Sequence, residues 1–144
     1  MKLKQVLAVN FQTTKASAAL LILRFVAGTA FMMHGWPKIQ NPMTWAGPDA
    51  KIPGALLLLA AVSEFFGGLS WILGLLTPIS SFGIAITMAV ATSMHAFVLS
   101  DSFVAAPGKS SFEPALVYLV VALVLMLVGP GKFSADHQIF SKKS

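Results

Sequence analysis

Cysteine is absent from this 144-residue chain, which removes disulfides, thiolate zinc sites, Fe–S clusters and dithiol relays. Charge is nearly as scarce: Asp, Glu, Lys and Arg make up 10% of the residues, against about 25% in a typical soluble domain. A chain this short cannot cover a soluble surface with so few polar groups. The motifs of soluble catalysis are missing too. There is no P-loop, no dinucleotide fingerprint after a strand, no Gly-x-Ser-x-Gly and no His-Glu-x-x-His. The positive charge is not clustered, so a nucleic-acid partner is not expected. What is present is apolar: 56% of residues are hydrophobic and the mean hydropathy is +0.80. The solvent is lipid.

A span needs roughly 20 apolar residues to cross about 30 Å of hydrocarbon. Four runs qualify, at about 16–35, 53–76, 79–99 and 112–128. They are separated by loop signals at Trp36-Pro37, Asn41-Pro42, Gly47-Pro48, Thr77-Pro78 and Pro107-Gly108, and closed by Gly129-Pro130-Gly131. The expected fold is all-α, a four-transmembrane-helix bundle filling 16–131, flanked by an interfacial segment at 1–15 and a tail at 132–144. Lys2, Lys4, Lys15, Lys132, Lys142 and Lys143 gather on one side, and Lys38, Lys51 and Lys109 on the other. The excess marks the cytoplasmic face, so both termini are expected there, in a bacterial cytoplasmic (inner) membrane. Leu3, Leu7 and Phe11 at i, i+4, i+8 suit a helix lying on the inner leaflet. A cleaved signal peptide ending near Ala16-Ser17-Ala18 is disfavoured, because Gln5, Asn10 and Gln12 interrupt its apolar core.

Arg24 and Glu64 fall inside spans, each at a position expected near mid-membrane. An isolated charge there costs on the order of 2.5–3.5 kcal/mol. The expectation is a direct or water-bridged Arg24–Glu64 contact, with Gly28, Gly35, Gly67 and Gly68 letting the helices approach. This pair reads either as functional or as a buried staple holding two helices in register. His34, His95 and Tyr118 sit in the outer parts of their spans. With Arg24 and Glu64 as a floor, they would form a polar pocket opening to the outer side or to lipid, walled by Met32, Met33, Met88, Met94, Trp71 and Phe97. Met and aromatic residues at such spacing more often fill a core. Ser110 followed by Glu113 matches a capping box, a structural use for Glu113.

Arg24-x3-Gly28, His34-Gly35-x2-Lys38, Glu64-x2-Gly67-Gly68, Leu73-Gly74, Met88, His95 and Gly129-Pro130-Gly131 with Ser134-x-Asp136 follow one another in the order of the spans. In this the chain resembles the DoxX family of small bacterial four-span membrane proteins, from about Leu20 to Asp136. The resemblance implies a membrane-embedded four-helix bundle and redox work, described for relatives as quinone-linked thiosulfate oxidation or as organising thiol-stress defence. The absence of cysteine weakens the thiol-linked version unless a soluble partner carries the thiols.

The leading functional expectation is therefore a quinone- or quinol-interacting component of a membrane oxidoreductase system, working with a soluble or membrane redox partner protein. In it Glu64 or His95 handles the proton, Arg24 stabilises negative charge, and Tyr118 or His34 orients the ring. The alternative is a non-enzymatic accessory or scaffold subunit of a larger complex; a homo-oligomer is compatible with either. Haem b between His34 and His95 is disfavoured by their different depths. A zinc or copper site lacks paired ligand spacing, and a solute transporter lacks an inverted repeat.

Overall fold

The computed structural model describes residues 12–140. The expected inner-leaflet helix around Leu3, Leu7 and Phe11 lies outside the described residues. Within them the chain is helical: α1 Thr14–Gln40, α2 Gly54–Leu73, α3 Thr77–Ser93 continued by a π-helical turn Met94–Val98, α4 Glu113–Val128 and a short α5 Ala135–Phe140. α1, α2 and α3 with its π turn are long and apolar enough to cross a membrane, and α4 is a shorter apolar helix. The four-helix membrane bundle expected from the apolar runs is the observed architecture.

α1 opens with the Thr13 hydroxyl accepting from the Ala16 N–H at 3.2 Å, an N-cap that satisfies a donor the helix cannot. The loop signal expected at Trp36-Pro37 does not act: α1 runs through Pro37 to Gln40. Proline removes one helical N–H, but a membrane helix tolerates this when neighbouring segments hold it in place. The hold is visible at Gly35, where an added Cβ would lie 2.5 Å from the backbone nitrogen of Phe65.

The α2–α3 turn also differs from expectation. Thr77-Pro78 does not form the turn; it begins α3, with Pro78 in the first turn where its missing N–H costs nothing. The turn is Gly74 to Leu76, with Gly74 left-handed at φ +65° and Leu76 left-handed at +52°. A leucine there costs roughly 1–2 kcal/mol. The carboxylate of Asp136 offsets this strain, accepting from Leu76 N at 2.7 Å and Thr77 N at 2.9 Å. Asp136 thus caps α3 from far along the chain, at the helix end where negative charge is favoured.

α1 and α2 run antiparallel and approach closely again at Gly28 and Gly68, where a Cβ on either would sit 2.6 Å from the other's carbonyl oxygen. α3 packs against both α2 and α4. The core between them holds Leu20, Ala27, Phe31, Trp71, Ile84 and Leu125 among others. Trp71 is fully buried, donates its indole N–H to Ser81 Oγ at 2.9 Å, and meets Phe31 edge-on at 5.3 Å. Phe31 in turn meets Tyr118 edge-on at 5.0 Å. Large apolar side chains such as Ile22, Phe25, Leu59, Phe82 and Leu127 point outward, as lipid contact requires. One end of the bundle, here the terminal end, gathers the start of α1, the α2–α3 turn and residues 128–140. Gln12 donates to Val128 O there, and Lys132 N to Ser17 Oγ. The opposite, loop end carries residues 41–53 and 99–112.

Candidate functional site

The two intramembrane charges do not meet. Glu64 is buried, 2% exposed, and both its carboxylate oxygens accept from the Lys38 ammonium, at 2.6 and 2.7 Å. Continuation of α1 past Pro37 makes this possible. Lys38 lies three residues beyond Gly35 and seven beyond Phe31, on the face that packs against α2. The close approach of Gly35 to Phe65 then brings Lys38 within reach of Glu64.

The ammonium also lies 4.4 Å from the centre of the Trp45 ring, a cation–π contact. Trp45 is fixed in turn, its indole N–H donating to Leu57 O at 2.9 Å. Lys38 therefore stands between a carboxylate and an aromatic face. It forms part of the wall of an open groove of about 510 Å³ with Pro37, Asn41, Thr44, Trp45 and Gly47.

Arg24 belongs to a different structure at the terminal end. It is wholly buried and donates to the carbonyls of Trp71 at 3.0 Å and Phe133 at 2.5 Å. Asp136, also wholly buried, supplies the compensating charge. The reason is register. α1 starts about 15 Å before Arg24, and this overhang sets Arg24 level with the C-terminal end of α2. Fourteen residues separate Arg24 from Lys38 on α1, about 21 Å along the helix axis. In place of the expected Arg24–Glu64 pair, Glu64 pairs with Lys38, and Arg24 is held by the Trp71 and Phe133 carbonyls with the Asp136 charge acting on it without a direct bond.

The remaining expected residues are dispersed. His95 lies in the π turn and its Nδ1 is 2.7 Å from Asp101 Oδ2. His34 is exposed on α1, one turn before Lys38. Tyr118 is half-buried against Phe31. The central pocket expected between Arg24, Glu64 and His95 is replaced by packed rings. Phe31, Trp71 and Met88 fill the core, while Met33 and Phe97 face outward at 73% and 83% exposure. The capping box is not formed either. Phe112 occupies the N-cap of α4 without a side-chain bond, and Glu113 is the first helical residue. Among the described residues there is no group of three or more His, Cys, Asp or Glu placed to hold a metal ion.

Lys38, Trp45, Asp101 and Asp136 complete these clusters and are absent from the sequence-derived site. For Lys38 a signal existed: with Phe31 and Gly35 it continues the seven- and three-residue spacing of one helical face, hidden by the reading of Pro37 as a stop. Asp136 was visible only as part of Ser134-x-Asp136. Ser134 Oγ accepts from His137 N at 3.1 Å and caps α5, which leaves Asp136 free to reach α3.

The DoxX family profile matches residues 19–98. The chain is 30% identical over 125 residues to an uncharacterized protein of Haemophilus influenzae strain Rd, covering 85% of this chain and 92% of that one. It is 30% identical over 127 residues to the inner membrane protein YqjF of Escherichia coli K12, again covering 85% and 92%. No solved structure matches it. The matched region contains α2 and most of α1 and α3, and so the Lys38–Glu64 pair and Arg24, and with a 30% identical relative covered almost end to end the conclusion is direct: the chain is a membrane protein of the DoxX family.

Proposed function

We propose that this protein is a component of a bacterial inner-membrane oxidoreductase system, and that it engages a quinone or quinol headgroup at the loop end of the bundle, beside Lys38 and Glu64. The inner-membrane placement follows the relative that bears that name and the lysine bias. The observation that carries the reading is the Lys38 ammonium held between the buried Glu64 carboxylate and the Trp45 ring on the wall of an open groove. An ionisable pair in a membrane bundle is functional by default.

The donor set suits a quinone: a cation for a carbonyl oxygen, an aromatic face for a flat ring, and a carboxylate for a proton. When bound, the quinone supplies a two-electron, two-proton couple. The chain's own residues then have distinct tasks. Lys38 Nζ donates a hydrogen bond into the groove and holds the headgroup in place. Glu64 Oε1, 2.6 Å behind it, holds the ammonium in place; a proton that Nζ gives up into the groove leaves the pair with the single negative charge of Glu64, which a proton from solvent through the open groove cancels. Trp45, tied to Leu57 O, keeps the ammonium from swinging into the loop. Electrons pass to or from a partner protein; without cysteine the chain has no thiol couple of its own.

The test uses purified protein in nanodiscs titrated with a short-chain ubiquinone analogue, read by tryptophan fluorescence. Saturable quenching is expected in the wild type and a loss of at least tenfold in apparent affinity in Lys38→Gln. Linear, unsaturable quenching that is the same in both proteins would overturn the proposal. The second reading, an accessory or scaffold subunit, is favoured by the aromatic filling of the bundle centre. It predicts the overturning result together with intact folding of Lys38→Gln.

A further inference from the structure

α4 has 16 residues, about 24 Å of helix, some 6 Å short of the roughly 30 Å of hydrocarbon it should cross. α3 with its π turn, Thr77–Val98, has 22 residues, about 33 Å, and so reaches the far boundary. The chain must descend from the top of α3 to the start of α4 through residues 99–112. The second half of this segment is polar, with Lys109, Ser110 and Ser111, but the end of α3 and residues up to 104 carry large exposed apolar side chains. Phe97 and Val98 at the end of the π turn and Leu99, Phe103 and Val104 beyond it are 83, 71, 57, 53 and 61% exposed, an apolar ledge of two groups separated by Ser100, Asp101 and Ser102 and more than isolated surface side chains need.

The segment is also built. Asp101 N donates to His95 O at 2.9 Å, and the Asp101 carboxylate is engaged by His95, so the one acid on the ledge is held back against the helix. Ser102 bridges to Ser111, Phe112 N donates to Ser102 O at 3.3 Å, and the Phe103 and Phe112 rings meet at 5.4 Å. These contacts set Phe103 level with the first turn of α4, at the depth where the short helix leaves hydrocarbon uncovered.

We infer that residues 97–104 are a membrane-seated ledge, with Phe97, Val98, Leu99, Phe103 and Val104 lodged among the acyl chains of the leaflet at the loop end and Lys109 at the headgroups. The occupant of this surface is lipid. The ledge extends the outward apolar face of α3, where Ile86 and Val90 are also exposed. It supplies from an irregular segment the apolar length that α4 lacks. Part of its backbone is satisfied within the protein: Leu99 N and Asp101 N donate to Met94 O and His95 O, and Ser102 O accepts from Phe112 N.

The natural absence of cysteine makes the test direct. Single-cysteine variants Val104→Cys, Leu99→Cys and Lys109→Cys of the full chain are labelled with an environment-sensitive NBD dye. They are then reconstituted in vesicles of phosphatidylethanolamine and phosphatidylglycerol. The expected result is blue-shifted emission at 104 and 99, quenched by shallow nitroxide lipids and at least five-fold less by aqueous iodide than at 109. Iodide quenching at 104 and 99 equal to that at 109 would overturn the inference. Protection at 104 and 99 that is found in native membranes but lost in the vesicles would also overturn it, in favour of a protein occupant.

Discussion

The two ends of the bundle both bury charge, and they treat it in opposite ways. At the terminal end Arg24 and Asp136 are wholly enclosed and spend their hydrogen bonds on backbone: Arg24 on the carbonyls of Trp71 and Phe133, Asp136 on the N–H groups of Leu76 and Thr77. Four chain segments are knotted through two side chains. At the loop end Glu64 has one partner, a lysine that is 24% exposed in its side chain and faces a groove. An arginine with its planar fork suits the fixed knot, and a lysine, whose ammonium gives up its proton far more readily, suits the proton transfer of the proposed function. The first arrangement makes a fold, and the second leaves a charge available.

The contrast is broken most forcefully by Asp136→Ala. It strands buried Arg24 and uncaps the strained start of α3, and the expected loss is about 3–5 kcal/mol. Thermal unfolding in detergent should report it, and a melting point within two degrees of wild type would remove the knot from the account. Lys38→Met is expected to cost less, about 1–3 kcal/mol, since Glu64 can take a proton. Adding Glu64→Leu to it should restore most of the loss, whereas Arg24→Met is not expected to rescue Asp136→Ala, because it leaves the Leu76 and Thr77 donors uncapped. A double-mutant cycle at each end checks this difference. Smallest is Trp45→Phe, which removes an indole bond to Leu57 O and weakens the cation–π contact, for about 1 kcal/mol. Its sharper readout is a changed quinone-analogue affinity beside a melting point lowered by only a few degrees.

The helices were legible in the sequence because apolar length is a direct demand of the bilayer. α2, α3 and α4 begin and end within a few residues of the apolar runs at 53–76, 79–99 and 112–128. The charge partners were not, because a run's start is a poor measure of depth. Arg24 stands well inside α1 yet level with the end of α2, since α1 overhangs its neighbour. No periodicity within one helix encodes the register of two. Likewise Pro37 carries a strong local stop signal, and only the packing of Gly35 on Phe65 overrides it. His34, His95 and Tyr118 share a half of the membrane by counting, while helix rotation sends one outward, one to Asp101 and one to Phe31.

The cap on α3 also has an order in time. Thr77 is synthesised some sixty residues before Asp136, so the cap on Leu76 N and Thr77 N cannot form until the segment after α4 has been made. The first turn of α3 is completed only when that segment folds back beneath it. Until then Arg24 lacks its counter-charge as well. One carboxylate therefore both completes the cap of α3 and supplies the charge that acts on Arg24, and a chain cut short before Asp136 has neither.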